Sequence, residues 1–201
     1  QLYEILAITA NFYQHALNQP QGEKALNYLK IDREFSDETI QGFQLGYSPS
    51  GWETLANYLI DQKKFPPQAI EAAGLIILRK EGNSYYDRFR DRLMIPICDL
   101  RGRVIGFGGR TLSDEQPKYL NSPETELFDK GHTLYGLDQA KDSINKTDRA
   151  VVVEGYFDVL RLVLAGCEHV VAPLGTALTG DQAELLRRIT GQAILLLDSD
   201  M

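Results

Sequence analysis

From position 150 onward the chain alternates short, almost wholly apolar runs with amphipathic stretches. Apolar runs occupy 150–153, 169–172 and 193–197, and helical patterns fill 157–165 and 181–189. Strand, helix, strand, helix, strand with apolar strands predicts a parallel sheet covered on both faces and joined by right-handed crossovers. In such a sheet the functional site lies at the carboxyl ends of the strands. Glu154 follows the first strand at once, with Gly155 making the turn, and Asp198 and Asp200 follow the third. Carboxylates therefore gather on one rim, and Asp158 lies one helical turn beyond Glu154.

Asp198 and Asp200, two apart at a strand end, can face the same side and hold one hard cation. Mg²⁺ takes one or two carboxylates, several waters and substrate phosphate oxygens, so the cluster suits an open phosphoryl-transfer site better than a closed structural one. Acids just after strands also serve as helix N-caps or solvated loop residues, and that alternative stays open on spacing alone.

The 201 residues suffice for one large domain or two small ones. Small helices dominate the first third, at 2–17, 22–30, 37–41 behind Ser36 as N-cap, 52–61 and 66–73, with a strand over 43–47. From Leu75 the period changes. Apolar runs at 75–78, 93–98 and 103–107 are separated by the turn sequences Lys80-Glu-Gly-Asn83 and Asp99-Leu-Arg-Gly102, which predicts a small antiparallel or mixed sheet. A helix over 137–144 follows, and polar residues 145–149 mark the boundary between units 1–148 and 149–201. Inspection finds no internal repeat. The longest apolar runs, 74–78 and 193–197, read as core strands and are far too short to span a membrane.

The net charge of −7 is unevenly spread: six arginines stand between Arg88 and Arg110 against Asp91 and Asp99, a local +4. In an extended segment Arg88, Arg90 and Arg92 share one face, suited to a phosphate backbone, while Phe89 points to the core. A plainly solvated sheet face is the competing reading. Gly106, Gly108 and Gly109 permit close backbone approach but match neither a dinucleotide fingerprint nor a P-loop. His15, His132 and His169 lack metal-ligand spacing, and Trp52 and the tyrosines of the helical third read as core. Cys98 and Cys167 suit buried free thiols in a reducing cytoplasm. With Gln1 at the start, no signal peptide, and an end just past an Asp-rich motif, the chain reads as an excised fragment.

Tyr86-Asp-Arg-Phe-Arg-Asp-Arg-Leu-Met-Ile-Pro-Ile97, Arg101-Gly-Arg-Val-Ile-Gly-Phe-Gly-Gly-Arg110, Pro117-Lys-Tyr-Leu-Asn-Ser-Pro-Glu-Thr125 and Leu134-Tyr-Gly-Leu137 closely resemble the RNA polymerase core of bacterial replicative primases of the DnaG type. Glu154-Gly-Tyr-Phe-Asp158, Leu174-Gly-Thr-Ala177 and Asp198-Ser-Asp200 are similar to that family's Toprim half. The resemblance implies an α/β chain: an α+β N-terminal subdomain with a small mixed sheet, then a truncated, parallel, Rossmann-like Toprim subdomain. It implies an enzyme that copies single-stranded DNA into short RNA primers from ribonucleoside triphosphates, in the cytoplasm and away from membranes.

By position, Glu154, Asp158, Asp198 and Asp200 correspond to the family's metal-binding acids for Mg²⁺ or Mn²⁺, with Glu154, Asp198 and Asp200 catalytic. Arg88, Arg90, Arg110, Lys118 and Lys130 correspond to its template- and nucleotide-contacting bases, with Asn121 nearby. A zinc module is expected upstream and a helicase-binding domain downstream, both outside this chain, which leaves the Toprim sheet with an exposed edge and the fragment's own activity in question. The sequence departs from the family at Asp198-Ser-Asp200, where Asp-Gly-Asp is usual. It departs again at Asp32-Arg33-Glu34, which replaces Arg-Gly with one residue added. Another Toprim enzyme, a topoisomerase or nuclease, shares the acidic pattern but lacks the arginine-glycine segment and the Lys118 loop; a third reading is a non-catalytic Toprim DNA-binding module in which the acids are inert.

Overall fold

The computed structural model describes residues 1–79, 84–175 and 177–197. The Lys80–Asn83 turn, Asp198 and Asp200 lie outside the described residues. The chain divides into two compact units, Gln1–Pro96 with Val104–Phe128, and Ile97–Arg103 with Asp129–Met201.

In the first unit, α1 (Leu2–Leu17) buries Ile5, Leu6, Tyr13, Ala16 and Leu17 at the spacing of one helical face. Strand β1 (Gly46–Ser48) passes directly against it: a Cβ on Gly46 would sit 2.6 Å from the Tyr13 backbone, so only glycine allows this approach. β1 joins a four-stranded sheet in the order β1-β4-β5-β6. Its other members are β4 (Arg92–Cys98), β5 (Val104–Thr111) and β6 (Tyr119–Asn121). A separate antiparallel pair holds β2 (Ile76–Leu78) and β3 (Tyr85–Asp87).

The expected strand over 43–47 moves to Gly46–Ser48, because 43–45 close a preceding helix with Gln44 at φ 52°. The segment from Arg88 to Arg92 is not one extended strand: Asp91 takes φ 48° between β3 and β4. Arg92 is consequently 4% exposed and does not share a phosphate-facing surface with Arg88 and Arg90. Phe89 is fully buried, as its spacing indicates.

The helical third contains a repeat that inspection misses. Asn27, Tyr28, Leu29, Phe35, Ile40 and Leu45 recur thirty positions later as Asn57, Tyr58, Leu59, Phe65, Ile70 and Leu75. Helix α2 (Glu23–Asn27), a π turn over Tyr28–Asp32 and α3 (Asp37–Gly42) form the first copy. Helix α4 (Thr54–Asn57), a π turn over Tyr58–Gln62 and α5 (Pro67–Ala72) form the second. The backbone bonds repeat with them: Arg33 N to Tyr28 O and Lys63 N to Tyr58 O, Phe35 N to Leu29 O and Phe65 N to Leu59 O, Leu45 N to Ile40 O and Leu75 N to Ile70 O. Glu34 (φ 58°) and Lys64 (φ 61°) occupy the same left-handed corner. The shared residues are the few that set the corner and the core, and the exposed residues between them have diverged.

In the second unit the crossover pattern appears as expected. β7 (Ala150–Val152), α7 (Tyr156–Leu164), β8 (Val170–Val171), α8 (Gly180–Arg187) and β9 (Ala193–Leu195) form a parallel sheet in the order β8-β7-β9. Helix α6 (Leu137–Thr147) belongs to this unit. Its Leu137, Ala140 and Ile144 pack with Ala150, Val152, Val171 and Leu186, so by compactness it groups with the segment from Asp129 onward. Ile194 to Leu197 are 46–58% exposed, so this run is not a core strand among the described residues: nothing there covers it. Cys98 and Cys167 are free and half-buried, less enclosed than expected, although burial and the nearby Asp138 and Asp99 push the Cys98 thiol up to about 12. No helix among the described residues is long and apolar enough to cross a membrane.

Candidate nucleotide and nucleic-acid interface

On the first unit, a cleft of about 790 Å³ is lined by Lys24, Tyr28 and Asp32 from the first repeat copy and by residues 110–116 and Lys118 from the end of β5 and the following loop, Asp114 and Glu115 among them. The Arg110 guanidinium lies 4.9 Å from the centre of the Tyr28 ring and 5.5 Å from that of Tyr119, and donates to the Tyr119 hydroxyl at 2.8 Å. Arg33 donates to the Tyr28 hydroxyl at 2.6 Å with its guanidinium 5.2 Å from the same ring. Two aromatic faces thus hold Arg110 in a fixed pose beside Lys24 and Lys118, a preorganised place for anionic oxygens. Beneath it, buried Arg92 donates to the carbonyls of Gly109 (3.2 Å), Pro117 (2.9 Å) and Lys118 (3.5 Å), so it fixes the loop that carries Lys118. Burial lowers the Arg92 pKa from its ordinary value, the nearby Glu115 opposing.

Trp52 is 57% exposed, so it is not a core residue. The Arg90 guanidinium sits 4.2 Å from its ring centre and that of Arg79 5.7 Å, while Tyr86 meets it edge-on at 5.7 Å. Asp87 organises this face. Its carboxylate accepts from the backbone N–H of Leu55 and of Ala56, both at 2.8 Å, its own N–H donates to Trp52 O at 2.7 Å, and Arg90 Nη1 donates to its carbonyl. Desolvation pushes the Asp87 carboxyl up to about 6 against those backbone bonds. Arg88 donates to Asn121 O at 3.0 Å, and its pKa is lowered by burial. The arginine segment therefore divides among three duties: Arg90 on an exposed aromatic face, Arg88 half-buried against β6, and Arg92 beneath the Lys118 loop. Trp52, Tyr28 and Lys24 escaped the sequence reading. Trp52's place after the Ser48-Pro-Ser-Gly51 turn was the available signal, since turn residues lie on the surface.

On the second unit, Glu154 and Asp158 are exposed, and Asp158 Oδ2 accepts from Gly155 N at 3.0 Å, capping α7. The N-cap of α7 is Gly155 and Asp158 is its third helical residue, so neither Glu154 nor Asp158 is itself an N-cap. No group of three acidic, histidine or cysteine side chains able to hold a metal occurs among the described residues, Asp198 and Asp200 lying outside them. Two exposed carboxylates one turn apart are a donor set that suits a hard, partly hydrated cation. Lys130 is half-buried in a loop before α6.

A family model described as DNA primase catalytic core, N-terminal domain, matches residues 12–141, and one described as Toprim domain matches 148–201. The DNA primase of Synechococcus elongatus is 57% identical over 202 residues, covering all of this chain and 29% of that protein. The chain thus spans under a third of that relative's length. The crystal structure of the RNA polymerase domain of Mycobacterium tuberculosis primase DnaG superposes with a TM-score of 0.92 at 39% identity, over 99% of this chain and 66% of the other. A structure described as the DnaG primase catalytic domain bound to ssDNA superposes at 0.88 with 42% identity, over 99% and 61%.

Proposed function

Because this chain belongs to the DNA primase catalytic-core family, we propose that it holds the template and the incoming ribonucleoside triphosphate during primer synthesis. The observation that carries this reading is Arg110, clasped by Tyr28 and Tyr119 beside Lys24 and Lys118 in the 790 Å³ cleft. An arginine held between two aromatic rings stabilises charge on a triphosphate with little reorganisation. Lys130 adds a further cation for the nucleotide. The exposed Trp52 with Arg90 suits an unpaired strand: bases stack on the ring and phosphates meet the guanidinium. The relative solved with single-stranded DNA supports template binding, and its assignment to this face rests on Trp52 and Arg90 alone.

In the reaction, the primer 3′-hydroxyl oxygen bonds to the α-phosphorus and the bond to the β-phosphate oxygen breaks, releasing pyrophosphate. Arg110 and Lys118 bind the departing charge, and Glu154 takes the hydroxyl proton or orients the group that does. Glu154, Asp158, Asp198 and Asp200 would hold Mg²⁺ or Mn²⁺, which when bound lowers the hydroxyl's pKa and balances phosphate charge. Helicase contact belongs to parts of the protein beyond this chain.

The test is titration of a labelled ribonucleoside triphosphate with and without Mn²⁺, repeated for Lys118→Ala, Arg110→Ala and Asp198→Asn/Asp200→Asn. Loss of affinity in the basic variants, and loss of metal dependence in the acidic one, supports the reading. Equal binding in all samples, or none in any, refutes it.

A further inference from the structure

Gln182 is a buried polar side chain of the second unit whose amide makes three hydrogen bonds, all to two short segments. It is 0% exposed at the third position of α8. Its Nε2 donates to Lys130 O and to Thr133 O, both at 2.8 Å, and its Oε1 accepts from Thr179 N at 3.0 Å. A carboxamide has two N–H donors and one carbonyl, so this amide is spent on the N-cap of α8 and on two carbonyls of the 130–133 loop.

Thr179 repeats the pattern. Its Oγ1 accepts from Gln182 N at 3.1 Å and donates to Gly131 O at 2.6 Å. On the rim, His132 lies 2.8 Å from Asp129 and 3.2 Å from Asp181, bridging the same loop to the same helix. Within the loop, Asp129 accepts from Gly131 N at 2.8 Å and from Thr133 Oγ1 through its carbonyl at 2.6 Å.

A capping box needs only the exchange between positions 179 and 182. The three bonds to carbonyls 130, 131 and 133 are surplus to capping, and they fix the backbone at Lys130 and through the three residues that follow it. We infer that Gln182 and Thr179 are positioning residues that set the Lys130 ammonium for the triphosphate, which gives the 179–182 segment a role in nucleotide binding that the sequence pattern does not disclose. The inference rests on the proposed nucleotide-binding role of Lys130. A buried cavity filler would demand bulk at 182. A positioning residue demands the two donors, and the two roles separate experimentally.

The experiment is a double-mutant cycle on the whole protein: Lys130→Ala, Gln182→Met and the pair, with Thr179→Val as a milder second entry to the same contacts. Labelled ribonucleoside triphosphate affinity and the split between KM and kcat are read for each, and thermal unfolding confirms the folded state. Met keeps the volume of Gln without its donors. Lys130→Ala is expected to weaken nucleotide binding about tenfold or more, the worth of a charge-assisted contact. Gln182→Met and Thr179→Val should raise KM more than they lower kcat, and Gln182→Met should add little once Lys130 is gone. Full effects of Gln182→Met in the Lys130→Ala background, or none in the native background, overturn the positioning role. If Lys130→Ala itself leaves affinity unchanged, the reading of Lys130 fails and this inference fails with it.

Discussion

Replacing Asp87 with Asn should remove a distinct pH dependence from the stability of the first unit. The native carboxyl is 2% exposed, and burial raises it from 3.8 to about 6. A raised carboxyl pKa means that the folded state holds its proton more tightly than the unfolded one, so the favourable contribution is complete below about 4 and is lost as pH rises through about 6. A shift of about 2 units corresponds to about 3 kcal/mol in full, and about 2.4 kcal/mol of it falls between pH 4 and 7. Asn carries no such proton. It also offers one acceptor where Leu55 N–H and Ala56 N–H require two, which costs about 1–3 kcal/mol at every pH. The pH-dependent part is therefore isolated by the difference between the two proteins. Urea unfolding followed by emission of Trp52, the single tryptophan, whose carbonyl accepts from Asp87 N, gives that difference locally. The native protein should lose about 2–3 kcal/mol relative to the Asn variant between pH 4 and 7. Parallel stability curves, or a native protein that gains on the variant as pH rises, would refute the view that desolvation outweighs the two backbone bonds.

Gly109→Ala places a Cβ 2.9 Å from Phe89 and 3.1 Å from the Arg92 side chain, so it should cost about 1–3 kcal/mol in calorimetry and loosen the Lys118 loop as well. Glu34→Gly and Lys64→Gly each relieve a left-handed corner and should stabilise by about 0.5–1 kcal/mol and by similar amounts, since the repeat places them alike; opposite signs would sink that equivalence. Trp52→Ala should weaken single-strand binding by about 1–3 kcal/mol with the salt slope unchanged, whereas Arg90→Ala should lower the slope by about one phosphate contact. Equal slopes in fluorescence titrations of both variants would remove Arg90 from the phosphate path.

Periodicity was enough for the order of strands and helices from Ala150 onward, because parallel strands read as apolar runs and the helices between them as amphipathic ones, but it did not show that Ile194 to Leu197 are exposed among the described residues. The residues and bounds of α1 and the Ser36 cap were equally legible, since helix spacing and the Ser36 hydroxyl accepting from Thr39 N are local. The resemblance supplied the site assignments for Arg110 and Lys118, and spacing supplied the rim position of Glu154.

What the sequence could not decide is the use of each side chain once the chain has turned. Arg88, Arg90 and Arg92 look equivalent in a row of alternating residues, but the left-handed Asp91 breaks their register and Arg92 is buried beneath the Lys118 loop. Trp52 reads as core by hydrophobicity, yet two guanidiniums beside its ring stabilise an exposed position. The repeat hides because only corner and core residues are shared, and those declare themselves when the same backbone bonds recur thirty residues apart. Gln182 and Lys130 are far apart in the chain, and their partnership comes from carbonyls that the loop presents only when folded. Local propensity and burial follow from residue type, whereas hydrogen bonds between distant segments depend on the closure of the tertiary structure.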